Sequence, residues 1–339
     1  MKKMVLAAML CILLLSGCGR INFTTILSSK EVYTISDETC SVSTARLFLG
    51  IKKSAYEKRF GEDVWNQEFA GDGFEQYIKA DVLDEMSDIT LRYLFAKKNG
   101  TVLTDGEKEK VKQVSNVFYG ALTSDQVEKT GVNQESIYEI VEKYALAEKV
   151  FDEMTGDIAS KISDVDAKVI RVQSIFIKTF SLDDEGNRVA FGEQEIQSAK
   201  SKAADILDKA TNGEDFAALA QEYSDDSTVE YTFCKSEMEE VFSEAAFSLK
   251  DGEISGVIET DKGFYVIRCL NSYLPDESAH KKTELIQKEK DEVFEKSYQP
   301  FVEGLNHTVN KRLWKNLSIA GIASIDINLY DAFDTASTQ

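Results

Sequence analysis

Proline is nearly absent, with only Pro275 and Pro300 in 339 residues. That excludes a proline-rich linker and leaves room for long helices. Histidine is as scarce, at His280 and His307, and both read as surface residues. With so few imidazoles, 5 cysteines and no CxxC pair, a zinc site lacks its ligands. Five cysteines in a chain this long are no disulfide scaffold. Basic residues are outnumbered: 39 Lys and Arg against 59 Asp and Glu leave a net charge of −20. Phosphate backbones are repelled by such a surface, so nucleic acid is excluded as a partner. No GxxxxGK[ST] loop occurs, since Phe48-Leu49-Gly50-Ile51 lies within a helical stripe. No cofactor motif, internal repeat or low-complexity tract is found. The acid-rich run Asp183-Asp184-Glu185 and the pair Glu239-Glu240 read as solvated charges, with calcium binding the weaker alternative.

The one long apolar run is at the start. Lys2 and Lys3 precede an apolar stretch over 4–15, too short to cross a hydrocarbon layer of about 30 Å. It ends in Leu15-Ser16-Gly17-Cys18. This resembles the bacterial lipobox, which implies removal of 1–17 and lipidation of Cys18, so that the chain sits anchored outside the cytoplasmic membrane. An ordinary secretory signal with a chance cysteine is the alternative. Processing at Cys18 leaves Cys40, Cys234 and Cys269, an odd number, so at least one thiol stays unpaired within the chain. Burial as a small hydrophobe is the simpler account of that thiol.

Hydrophobic spacing divides the rest. A short strand over 32–35 ends the segment 18–41. Residues 42–165 read as helical, with helices over 43–60 and along the stripe Phe74, Ile78, Val82, Met86, Ile89 and Tyr93. Asn99-Gly100 stops that stripe. Thr104 and Glu107 have the spacing of a capping box, and Asn133 that of a helix cap before Ile137, Val141 and Tyr144. The period changes at Ala167: 169–177 is a β-branched, apolar strand signal. Two amphipathic helices and a third helical patch over 242–249 follow. Strands over 254–258 and 264–269 close the region, joined by the turn Asp261-Lys262-Gly263. The order β-α-α-α-β-β is a compact α+β unit over 166–273. In 274–339 a charged helix over 277–298 is interrupted by Pro300. Phe301, Leu305, Val309 and Leu313 then repeat every four residues, and 334–339 reads as a frayed tail. A helix with no local partner is expected to pack back onto the N-terminal helices, which makes the α+β unit an insert.

Four stretches carry a resemblance to the parvulin-type peptidyl-prolyl isomerases: 169–178, 212–226 (NGEDFAALAQEYSDD), 237–256 (EMEEVFSEAAFSLKDGEISG) and 263–268. They cover about 168–272 in family order. The whole layout resembles the PrsA/SurA group of extracytoplasmic foldases, and the lipobox its PrsA-like lipoprotein branch. The resemblance implies an α+β protein, a mostly helical chaperone domain made from both ends of the chain with the parvulin-like domain inserted. Its partners would be unfolded or partly folded exported polypeptides and, through Cys18, the membrane, with room for a homodimer. The reaction is rotation about an X-Pro bond. It needs an apolar cup for the ring, a dry site and a few hydrogen bonds, but no covalent step, metal or cofactor.

Site residues carried over from the family are Met238 and Phe242, four apart on one helix face, as the ring cup, and Phe233 as a further aromatic. Core packing is the alternative for Met238 and Phe242. Parvulins usually place one histidine on the first strand and one on the last; Ser174 and Tyr265 occupy those positions here, and 168–272 holds no histidine. Asp226 matches the acidic position of the polar cluster. A hydroxyl–hydroxyl bond between Ser174 and Tyr265 is expected if their strands are adjacent. The alternatives are plain strand residues for Ser174 and Tyr265, and a loop carboxylate for Asp226. Two functions follow: a membrane-anchored isomerase foldase, or a holdase whose parvulin-like domain only adds binding surface. A solute-binding lipoprotein would show two lobes of alternating strands and helices, which this order lacks.

Overall fold

The computed structural model of the chain describes residues 28–66, 68–69 and 72–328. The lipobox with Cys18 and the tail 334–339 lie outside the described residues. In chain order the elements are β1 (Glu31–Ile35), β2 (Glu38–Ser41), α1 (Val42–Phe60), β3 (Glu68–Phe69), β4 (Asp72–Gly73), α2 (Phe74–Asn99), α3 (Asp105–Ala121), α4 (Ser124–Thr130) and α5 (Gln134–Thr155). Next come β5 (Val169–Lys178), β6 (Phe180–Leu182), β7 (Arg188–Ala190), α6 (Glu193–Thr211), α7 (Phe216–Tyr223), β8 (Glu230–Cys234), α8 (Glu240–Ser248), β9 (Ile258–Thr260) and β10 (Gly263–Asn271). The chain ends with α9 (Pro275–Glu303), β11 (His307–Val309) and α10 (Lys311–Asn316). The fold is α+β, in two compact units: one formed by the chain up to Thr155 and again from Val293, the other by Gly156–Glu292.

The first unit is helical around a small antiparallel sheet ordered β11-β1-β2. Gly100, in the left-handed region at φ 73°, ends α2 and returns its N–H to Ala96 and Lys97 carbonyls. Thr104 and Glu107 form the expected reciprocal cap on α3, and the Asn133 side chain accepts the Ser136 N–H at 2.8 Å. Phe294 and Tyr298 of α9 pack against Phe95, each at 5.5 Å between ring centres. The C-terminal segment also closes over α1, where Ile325 N–H donates to the Gly50 carbonyl at 2.9 Å. A Cβ on Gly50 would stand 2.6 Å from the Ala323 carbonyl oxygen, so only glycine admits this approach.

Two sequence expectations for the C-terminal part change. Pro300 does not interrupt α9, which runs through it to Glu303. The four-residue repeat from Phe301 to Leu313 is not one helix. The chain turns at Gly304 and Leu305, and 307–309 instead supplies β11 to the open edge of β1, with Val309 opposite Tyr33. Backbone groups on that edge need partners, and this pairing overrides the helical spacing.

The second unit is built on an antiparallel sheet ordered β8-β5-β10-β9. The expected order is extended by three strands. β6 and β7 form a hairpin, and β8 pairs with β5, placing Tyr231 opposite Val172 and Phe233 opposite Ile170. The strand expected over 254–258 is shorter and later. Ile254 makes only an isolated bridge to Arg268, and regular pairing starts at Ile258. Gly263 has φ 148°, and a Cβ there would lie 2.2 Å from the Ile177 carbonyl oxygen; glycine is what lets the turn into β10 sit against β5. Cys40, Cys234 and Cys269 are unpaired and buried. Among the described residues no helix is long and apolar enough to cross a membrane.

Candidate functional site

Alternation along β5 sorts the second unit into two faces. Ile175 and Ile177, with Phe264 and Val266 of β10, pack against α6 and α7. Ile170 and Val172 point the other way, with Phe233 and Ile267, toward Phe242 of α8. On this second face Ser174 lies opposite Ile267, and Phe176 opposite Tyr265.

A small cup of about 80 Å³ opens there, lined by Tyr231, Met238, Glu239, Phe242, Lys262 and Tyr265. Phe242 forms its floor, with the Tyr265 ring edge-on at 5.1 Å and the Tyr231 ring edge-on at 6.4 Å. Tyr265 is held from behind by Phe176, stacked at 4.5 Å. Met238 and Phe242 both line the cup, but not from one helix face. Met238 has extended backbone at φ −122°, and α8 begins only at Glu240. The methionine therefore approaches from a loop, partly exposed, while Phe242 is buried. Phe233 is not in the lining. It packs beneath, 5.8 Å from Phe242 and 5.8 Å from Phe247. A larger hollow in the first unit, about 540 Å³, is walled by polar groups such as Gln126 and Lys53, and the Lys53 ammonium is tied to the Ile322 carbonyl.

One short chain of hydrogen bonds runs from the cup. The Tyr231 hydroxyl donates to the Asp226 carboxylate at 2.5 Å, and the same side chain accepts the Thr228 N–H at 3.0 Å. Burial, then the bond to Asp226, pushes the Tyr231 phenol well above its ordinary range. Tyr265 is pushed up to about 12, by burial first and then by the Asp226 and Glu239 charges. Both phenols are therefore neutral hydrogen-bonding groups near neutral pH. Ser174 stands apart: it is 2% exposed, and its hydroxyl has no partner among the described residues. The expected Ser174–Tyr265 bond does not form, because the antiparallel register sets Tyr265 across from Phe176 and Ser174 across from Ile267. With no histidine in 168–272, the arrangement offers an apolar floor, two phenols and a carboxylate; it suits binding and hydrogen bonding rather than a base-activated nucleophile.

Sequence reasoning missed Tyr231, Phe176, Glu239 and Lys262. Tyr231 was legible in principle, because Tyr231 and Phe233 alternate with Thr232 in the period of a strand.

Residues 158–273 match the family profile described as a PPIC-type PPIASE domain. The foldase protein PrsA of Caldanaerobacter subterraneus subsp. tengcongensis is 29% identical over 267 residues, 73% of this chain and 78% of the relative. The chain is thus similar to PrsA foldases, and its residues 158–273 to a parvulin-type domain. The chaperone SurA of Legionella pneumophila is 25% identical over 212 residues, 58% of this chain and 49% of the relative. The foldase protein PrsA of Bacillus subtilis is 32% identical over 143 residues, 40% of this chain and 45% of the relative. This PrsA-like chain thus spans about half the length of those last two relatives. Among solved structures, peptidylprolyl isomerase PrsA of Bacillus cereus aligns with 91% of this chain and 99% of its own, at 20% identity and a TM-score of 0.33. The cup described above lies wholly within the matched residues 158–273.

Proposed function

We propose that the chain is an extracytoplasmic foldase, anchored through lipid on Cys18, whose parvulin-type domain binds X-Pro segments of exported, incompletely folded polypeptides and speeds their cis–trans exchange. The observation that carries this reading is the convergence of Met238, Phe242, Tyr231 and Tyr265 on one small cup, with Tyr231 tied to Asp226. Rotation about an X-Pro bond meets a barrier of about 18–20 kcal/mol, from amide resonance, and takes ~10–100 s unaided. A proline ring seated on Phe242 and Met238 brings the preceding amide to the rim. Loss of water there disfavours the planar, charge-separated amide, and the hydroxyl of Tyr265, whose ring is fixed between Phe176 and Phe242, donates to the rotating carbonyl. Asp226 acts through Tyr231, fixing that ring as a wall. Ser174 is assigned no contact with the peptide, since its hydroxyl is buried.

A second reading is favoured by the missing histidines: the domain binds prolyl segments without turnover, and the chain serves as a holdase. A protease-coupled proline-peptide assay on the purified chain separates the two. Turnover above background that Met238→Ala abolishes supports the isomerase. No turnover, with aggregation of an unfolded client still suppressed, leaves the holdase.

A further inference from the structure

The wall that carries Tyr231 and Met238 is strongly acidic. Residues 225–240 hold six carboxylates, Asp225, Asp226, Glu230, Glu237, Glu239 and Glu240, and one cation, Lys235. Glu237 is neutralised by Lys281 at 2.6 Å. Glu239 lines the cup opposite Lys262, and the two are 3.9 Å apart, so the one lysine of the lining is matched by a carboxylate. Asp226 bonds a phenol and a backbone N–H rather than a cation. Asp261 stands in the β9–β10 turn beside Lys262, and its charge, after those of Asp226 and Glu239, helps push the Tyr265 phenol up, with Arg188 opposing them. The apolar floor is thus rimmed by an excess of negative charge.

We propose that the cup selects X-Pro segments bearing lysine or arginine immediately before the proline, and disfavours acidic or phosphorylated residues there. This rests on the ring-binding reading and adds a substrate class to it. A cationic side chain beside a seated ring meets the Glu239 carboxylate of the lining and is attracted by the nearby Asp226 and Asp261 charges, whereas an acidic one meets them as like charges. The attraction acts at an exposed rim and is screened by salt.

The test uses the full chain with labelled methionine methyls and the peptides Ala-X-Pro-Phe, with X as Lys, Ala, Glu or phosphoserine. The Met238 methyl signal reads ring seating. In low salt the Lys peptide is expected to bind roughly fivefold tighter than the Glu peptide, a ratio that falls toward one in concentrated salt. Asp261→Asn, at an exposed turn position outside the lining, is expected to shrink the ratio while the Ala peptide binds as before. Equal affinities, or the reverse order, with the Met238 signal still moving would overturn the charge selection and leave ring binding intact. If no peptide moves that signal, the ring-binding reading fails and the selection fails with it.

Discussion

On one face of the β8-β5-β10-β9 sheet, Ile175, Ile177, Phe264 and Val266 meet the aliphatic sides of α6 and α7. On the other face the same two central strands present Ser174, Phe176 and Tyr265 beside Ile170, Val172 and Ile267, under a helix of nine residues. The first face is closed by hydrocarbon and aromatic side chains. The second carries hydroxyls and aromatic rings, leaves one serine unbonded, and opens into a cup. A single strand such as β5 serves both, residue by residue, because its side chains alternate. The contrast assigns cohesion of the unit to one face and leaves the other free for the recognition proposed above.

The largest expected effect tests the closed face. Phe264 is 2% exposed, and Phe264→Ala is expected to lower the stability of the second unit by about 3–5 kcal/mol, through lost burial and an unfilled cavity. Urea unfolding followed by a probe in residues 156–292 measures it. A cost under about 1 kcal/mol would show that this face does not hold the unit together. Met238→Ala is the counterpart on the open face. Met238 is partly exposed on a loop, so the same unfolding experiment should shift by less than about 1 kcal/mol. Affinity for a proline peptide should nevertheless fall about tenfold, close to the transfer energy of the lost side chain. Comparable losses of stability from both substitutions would erase the contrast between the faces.

Alkaline pH sharpens it further. Tyr265 ionises at about 12 in the folded chain, against 10.0 ordinarily, because burial and the Asp226 and Glu239 charges oppose its anion. The unfolded chain therefore loses this proton first. The contribution to stability is complete below pH 10 and is lost as pH rises from 10 toward 12. Denaturant midpoints across that window should fall less steeply in Tyr265→Phe than in the parent, while between pH 6 and 9 the two should run parallel. A parallel course through the whole window would mean that the phenol is not shielded.

How far these faces could be read from the chain depends on whether a signal was local. The β5 strand, the α6 and α7 stripes and the Gly263 turn follow from spacing and from glycine, both properties of a few neighbouring residues. The pair Met238 and Phe242 was found through resemblance. Its setting on one helix face was not right, because the spacing of four holds in a helix and Met238 precedes α8. β8 carries a short alternation of Tyr231, Thr232 and Phe233, but five residues give too weak a signal to stand without the partner that β5 supplies. β11 escaped for the same reason, its strand state being conferred by the edge of β1. The Ser174–Tyr265 bond failed on register, a two-residue offset along the β5–β10 ladder that residue identity does not reveal.

The smallest expected effect concerns that serine. A buried hydroxyl without a partner costs free energy, commonly about 1–3 kcal/mol, whereas removing it removes the desolvation cost and leaves only a small void. Ser174→Ala should therefore leave stability unchanged or raise it by up to about 1 kcal/mol, the opposite sign from most buried substitutions. Peptide binding at the cup should hold, since Tyr265 keeps its support from Phe176. A loss of more than about 1 kcal/mol would mean that the hydroxyl is bonded after all. The natural place for such a bond is a buried water shared with the backbone of β8, whose start is tied to Ser174 through the Val229 carbonyl. In that event the open face would contribute cohesion as well as recognition, and the division between the two faces would have to be redrawn around the serine.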